Sequence, residues 1–452
     1  MHGSMNTPRV RAETAAVVRL AVPVILVQVG MMIMGTVDAM MLGRVSEEAL
    51  AAGALGNSVH LALVIVPMGI LMALDPLVAQ AYGAGDHRRI ARHLKQGLVM
   101  ALALAIPLSA LMWDTRAGLR LLGQQPGIAE AGAAYIRVVI PGSWAVLFFV
   151  VVRQTLQAMS VVRPTLMAII VANGVNFLAN YVLVFGHWGA PALGVVGSAW
   201  ATSISRWVML FSVVALARPW LRRYGSGERH RLANLRSYWR HLKIGVPIGI
   251  QLSLEMWIFT AVALMMGNLS ARALAGHQIA LNLAALFFMV PLGISGAAAT
   301  RVGNAIGRRD MPGARLSAAV CLALGAATMS ISALLFWLVP EFLSRLFTPD
   351  PGIVALAASL LPIAALFQIF DGTQVVGVGV LRGAADTRSP ALIALVGFWG
   401  LGLPLGWWLA FRWDQGPEGL WWGLTTGLCT VAVLLLGRVR VRFAGEIAAI
   451  RL

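Results

Sequence analysis

The chain has 452 residues, of which 59% are hydrophobic and 12% charged, and its mean hydropathy is +0.80. A soluble globule carries about twice that charged fraction, so the composition excludes a water-soluble fold of this size and describes an integral membrane protein. The formal charge of +17 would suit nucleic acid if gathered on one soluble face, but its distribution follows a membrane topology instead.

About 20 apolar residues cross the ~30 Å hydrocarbon layer. On that ruler the sequence predicts an all-α membrane protein with twelve transmembrane helices, at about 15–41, 55–82, 94–114, 132–152, 163–185, 194–216, 243–266, 277–300, 315–338, 357–380, 390–411 and 419–437. The first is too long for the apolar core of a signal peptide and is expected to stay in place as a span. It carries Pro23, Met31, Met34 and, near its outer end, Asp38. The second holds Asp75 just before Pro76, where an acid can cap a broken turn. Asn173, Asn176 and Asn180 recur along the fifth at spacings that share one helix face, and Thr202 lies in the sixth. Between spans six and seven, residues 218–242 are rich in Arg with Trp220, Tyr224, Tyr238 and Trp239 among them, the pattern of an interfacial segment on the inner leaflet. The seventh span places Glu255 near its middle, followed by Met256 and Trp257; the eighth contains Phe287; the tenth places Asp371 at similar depth.

The two halves repeat. Shifting the sequence by 224 residues superposes Val22-Pro23 on Val246-Pro247, Ser46 on Ser270, Pro67 on Pro291, Gly69-Ile70 on Gly293-Ile294 and Asp86 on Asp310. Residues 1–217 therefore form an N-terminal six-helix lobe, 218–242 a basic cytoplasmic linker, and 243–452 a C-terminal six-helix lobe. Six spans are an even number, so the two bundles have the same orientation and are related by a pseudo-twofold along the membrane normal, an arrangement suited to alternating access. With the N-terminus inside, 26 of the 35 Lys and Arg residues fall on the cytoplasmic side and six outside. Both termini are accordingly expected in the cytoplasm, with lipid headgroups taking up the positive excess.

An acid at hydrocarbon depth costs several kcal/mol unless it has a partner or a task. Glu255 and Asp371 share a depth in the C-terminal half, with no Lys or Arg within ten residues of Glu255 in its span. Such a pair can share a proton or hold a monovalent cation, so both are candidates for Na+ or H+. Asp38, Asn176, Asn180 and Thr202 make a second polar pocket in the N-terminal half, for a proton, a cation or substrate. Met31, Met34, Met256, Trp257 and Phe287 are candidates to line an adaptable cleft for organic cations. The two cysteines, Cys321 and Cys429, lie far apart in separate helices and suggest no disulfide or metal site. No G-x-x-x-x-G-K-[ST] motif occurs, so no nucleotide drives transport, and no cofactor is expected. His60, His187 and His277 are scattered, which argues against an intramembrane enzyme.

Several stretches resemble the multidrug and toxic compound extrusion (MATE) family in its NorM-like branch. They are VDAMMLG at 37–43, ALAAGALG at 49–56, IGVPIGIQLSLE ending at Glu255, FQIFDGTQ at 367–374 and LRGAADTRSP at 381–390. Their order covers essentially the whole chain. The resemblance implies a monomeric antiporter in the bacterial inner membrane, exporting organic cations and hydrophobic drugs against Na+ or H+. It gives Glu255 and Asp371 the role of cation-binding acids, and Asp38 with Asn176 and Asn180 that of a proton or cation site. Two departures stand out: Asp371 is followed by Gly372 where some relatives carry a second acid, and NFLAN at 176–180 has an amide where others carry one. The alternative on this architecture is a flippase for lipid-linked precursors, which would want a cationic cleft.

Overall fold

The computed structural model describes residues 7–121, 123, 125–225 and 235–450, and all regular structure among them is helical. Twelve helices are long and apolar enough to cross a membrane: α1 Thr7–Gly43, α2 Glu47–Gly83, α3 His87–Trp113, α4 Pro126–Ala158, α5 Arg163–Phe185, α6 Gly194–Leu216, α7 Leu235–Leu269, α8 Ala271–Gly307, α9 Met311–Leu338, α10 Pro351–Gly383, α11 Arg388–Arg412 and α12 Gly416–Ala444. The fold is all-α, as the composition and the apolar runs predict.

Several helices begin earlier than the apolar runs suggest. At 1.5 Å per residue, the 35 residues of α7 extend about 52 Å, well past the hydrocarbon layer. The hydropathy ruler registers only the part that lies in oil, whereas turns such as Leu235–Lys243 are helical although polar. The centre of the basic linker, with Arg229 and Arg231, lies outside the described residues; Arg218–Gly225 before it is a short helix.

Helix boundaries show the duplication residue by residue. Ser46 and Ser270 both adopt extended backbone and accept a hydrogen bond from the amide three residues on, at Ala49 and Ala273. Asp86 and Asp310 cap the following helices in the same way, accepting from the amides of Arg89 and Gly313. Each such cap stabilises a helix by about 1 kcal/mol.

The same economy governs four C-terminal turns, where a residue at positive φ lets the chain reverse through a six-to-one hydrogen bond. Gly85 (φ 70), Ser160 (φ 63), Arg309 (φ 61) and Ala385 (φ 58) hold that position. The closing bonds run from Asp86, Val161, Asp310 and Asp386 to the carbonyls of Ala81, Leu156, Ala305 and Leu381. Left-handed backbone costs a side chain about 1 kcal/mol that glycine avoids. Gly85→Ala is therefore expected to lower the thermal midpoint in detergent and Ala385→Gly to raise it. Shifts of the same sign would contradict this account of the turns.

One asymmetry between the halves has a covalent cause. In α2 the helical hydrogen bonding slips after Leu71 and resumes at Leu74, because Pro76 lacks an N–H and its ring clashes with the carbonyl four residues back. Asp75 sits buried in the first turn after the break. The repeat-equivalent of Pro76 in α8 is Thr300, and α8 runs unbroken.

The helices form two compact units whose border differs from the expected 217/243 linker. Residues up to Ile25 group with those from Ile250 onward, and Leu26–Gly249 form the other unit. Within the first, α1 is anchored to α8 and α9: Arg301 makes a two-pronged pair with Glu13, whose carboxylate also accepts from Ser317 Oγ at 2.6 Å. Gly293 of α8 has no room for a Cβ against Ile25. In the second unit the repeat-equivalent contact recurs, Gly69 of α2 against Gly249 of α7. Ser237 of α7 also donates to Gln96 of α3 at 2.8 Å. The two borders, Ile25/Leu26 and Gly249/Ile250, are themselves 224 residues apart.

Candidate functional site

In the unit that contains the second half, α7 and α10 bring the two mid-span acids together. Glu255 Oε1 accepts hydrogen bonds from two neutral amides, Gln251 Nε2 at 3.0 Å and Gln374 Nε2. Gln251 stands one turn before Glu255 on α7; Gln374 stands three residues after Asp371 on α10, on the same helix face. Asp371 is 9% exposed and has no hydrogen-bond partner among the described residues. Glu255 acts on it electrostatically, while among the described residues the cation acting on Glu255 is Arg382. Two carboxylates with neutral donors leave a surplus of negative charge in an apolar surrounding. A proton or a small monovalent cation would neutralise it.

One turn beyond each acid an aromatic wall closes the site. Phe259, four residues after Glu255, meets Phe367, four before Asp371, with ring centres 6.1 Å apart. Phe367 continues onto Trp421 (5.9 Å), and Trp421 onto His277 (5.7 Å). Trp399, in the π-helical stretch Leu395–Gly402 of α11, donates its indole N–H to the Leu254 carbonyl at 3.1 Å and so fixes α7 next to Glu255.

In the unit formed by residues 26–249, the predicted polar residues also converge. Asp38 Oδ1 accepts from Asn176 Nδ2 at 3.0 Å and Asn180 Nδ2 at 2.7 Å, and its Oδ2 accepts from Thr202 Oγ1 at 2.7 Å. All four side chains are buried. A small cavity of ≈ 50 Å³ lies beside them, lined by Gly35, Asp38, Asn57, Tyr135 and the apolar side chains of Leu42 and Leu50. That volume admits a few waters or the head of a small cation, far short of a drug-sized pocket. Asn173, on the same face of α5, serves packing instead: its amide donates to the Gly30 carbonyl of α1 at 3.0 Å.

The cleft candidates divide. Met34 is buried in its unit's core with Met31 packed against it, and Phe287 stacks edge-on with the buried Phe336 at 5.5 Å. Met256 is half-buried and Trp257 exposed. Among the described residues no group of three or more His, Cys, Asp or Glu could hold a metal ion.

Sequence reasoning overlooked four site residues. Gln251 and Gln374 flank the acids at helical spacing, a signal that was present but neutral. Arg206 and His60 join the Asp38 pocket: Arg206, one turn after Thr202 on α6, bonds His60 Nε2 at 2.8 Å and acts electrostatically on Asp38. Arg206 stands at the middle of the predicted span 194–216 and His60 five residues into 55–82, but nothing in the sequence pairs them.

The MatE family model matches the chain twice, over residues 23–182 and 247–408, so the two matches begin 224 residues apart at Pro23 and Pro247. The multidrug resistance protein NorM of Burkholderia vietnamiensis is 39% identical over 98% of this chain and 97% of its own length. The multidrug resistance protein PmpM of Pseudomonas aeruginosa is 35% identical over 96% of this chain and 94% of its own. Among solved structures, the eukaryotic MATE transporter AtDTX14 shares the fold with a TM-score of 0.87 at 24% identity, covering 95% of this chain and 96% of that one.

Proposed function

This chain belongs to the MatE family, and from that premise we propose that it exports organic cations and hydrophobic drugs in exchange for Na+ or H+. It is a transporter, not an enzyme, and multidrug efflux is what the names of its relatives support. The observation that carries ion coupling is the Glu255–Asp371 pair, with Glu255 held by two neutral amides and Asp371 beside it inside an apolar helix bundle. A carboxylate pair that must be neutralised alternately by fuel ion and by cationic cargo couples the two without any further device. With both termini cytoplasmic, the fuel ion enters from outside and releases cargo there. The flippase alternative would call for a surplus of cations at mid-span, whereas Arg206 is matched by Asp38 and the Glu255–Asp371 pair outnumbers Arg382.

Efflux of tetraphenylphosphonium from proteoliposomes, with Na+ and pH gradients imposed separately, tests the reading. At least one gradient should drive transport, and the other should not substitute for it fully. Tetraphenylphosphonium movement indifferent to both gradients would overturn ion coupling.

A further inference from the structure

The hydrogen bonds around His60 fix its chemical state. Arg206 can only donate, so His60 Nε2, 2.8 Å away, must present its lone pair. The ring proton of the neutral imidazole therefore sits on Nδ1, facing Ser143 Oγ at 3.5 Å. Ser143 has spent its own proton on the Val139 carbonyl at 3.0 Å, leaving Oγ free to accept. Each donor meets an acceptor in only this arrangement. Arg206 is thus held on a neutral histidine while Asp38, on the other side of Thr202, is satisfied by three neutral donors.

We propose that His60 and Arg206 make the Asp38 pocket proton-responsive by setting where the guanidinium sits. With His60 neutral, Arg206 stays on Nε2 and the Asp38 carboxylate offers its charge to a cation at the adjoining cavity lined by Asn57 and Tyr135. A proton taken up on Nε2 gives the imidazole two N–H groups and a positive charge. The lone pair that held Arg206 is then gone, and two cations face each other in a buried site. Arg206 shifts toward Asp38, four residues from whose partner Thr202 it already stands, and pairs with it. The carboxylate is neutralised and a bound cation is expelled.

The surroundings leave few rivals for this role. The charge acting on His60 among the described residues is that of Arg206 on α6; from α4 it meets Ser143, whose Oγ also lies 3.8 Å from Met112 Sδ of α3. The groups acting on Arg206 are Asp38 of α1 and Tyr135 of α4. Glu47 and Glu48 lie three turns earlier on α2, His60's own helix. This inference rests on the ion-coupled export proposed above and names the residues that time release of a small cation in the first-half unit.

The test is binding of Na+, a cation small enough for the ≈ 50 Å³ cavity, to the purified full chain between about pH 8 and about pH 4.5, a range that spans and extends below the titration of a free histidine. It is made in the Glu255→Gln/Asp371→Asn background so that those acids do not contribute. Affinity should fall at least about tenfold toward low pH, the effect of pairing a buried carboxylate with a cation. His60→Gln, which keeps an acceptor that cannot take the proton, should flatten that slope, and Arg206→Gln should flatten it as well. A slope that survives His60→Gln overturns the proposal. If this background protein binds Na+ at no pH, the Asp38 cavity holds no cation and the proposal fails; tetraphenylphosphonium efflux from the wild type indifferent to both gradients would instead fail the export reading. Nitrogen-15 NMR of His60 at high pH provides a check that needs no variant: a proton on Nδ1 is expected, and a proton on Nε2 would contradict the arrangement.

Discussion

Glu255→Gln and Asp371→Asn are each expected to reduce drug efflux to the level of membranes lacking the protein, while the chain remains folded in the bilayer. Each amide keeps the size of its carboxylate, and at position 255 Gln251 and Gln374 can still donate to the remaining oxygen. What disappears is the charge. At about 4 Å and the effective dielectric of a protein site, one unit charge is worth roughly 4 kcal/mol, about three powers of ten in cation affinity. A transporter deprived of that difference between its loaded states has no reason to prefer exchange over leak. Neutralising one member of a like-charged buried pair also relieves repulsion, so the thermal midpoint should hold or rise. Loss of transport together with loss of folded protein would point to a structural role for these acids.

The largest effect on stability is expected at Gly423. There α11 and α12 pack through two small-residue faces, Gly402 with Gly406 and Gly423 with Gly427, each four residues apart. A Cβ on Gly423 would overlap the Cα and N of Gly406 and approach the Gly402 carbonyl to 2.7 Å. All of these are backbone atoms, so no side chain can rotate aside and the helices must separate. Overpacking of this kind costs about 3 kcal/mol, and membrane helices that associate through such faces have little else to hold them. The displaced α11 carries Trp399, which holds the Leu254 carbonyl beside Glu255. Gly423→Ala is therefore expected to lower both the thermal midpoint and efflux. Gly437→Ala on the same helix, where a Cβ meets nothing within 4 Å, should do neither. Equal tolerance at the two positions would contradict the packing account.

Much of this was legible because membranes make sequence strict. Apolar length gives the spans, and Pro, Gly and Asp at one fixed offset give the duplication, since those residues cap, kink and turn helices in both halves. Glu255, Asp371 and Asp38 announced themselves as charges in oil. The grouping of Asp38 with Asn176, Asn180 and Thr202 followed from helical spacing and depth.

What stayed hidden was non-local or neutral. Nothing near Glu13 in the sequence says that it will meet Arg301, so the attachment of α1 up to Ile25 to the second-half helices was invisible. Gln251 and Gln374 carry no charge to mark them. His60 and Arg206 lie on different helices 146 residues apart, so nothing local shows that they meet. Helix starts such as Thr7 and Leu235 were missed because a polar turn can be helical on either side of the oil.

The most direct measurement of the central claim is the count of ions released when cargo binds. Tetraphenylphosphonium added to the purified protein in weak buffer should release H+, or Na+ if the protein was loaded with it, and Glu255→Gln should abolish that release. Release undiminished in Glu255→Gln and Asp371→Asn would show that cargo and fuel meet elsewhere in the molecule.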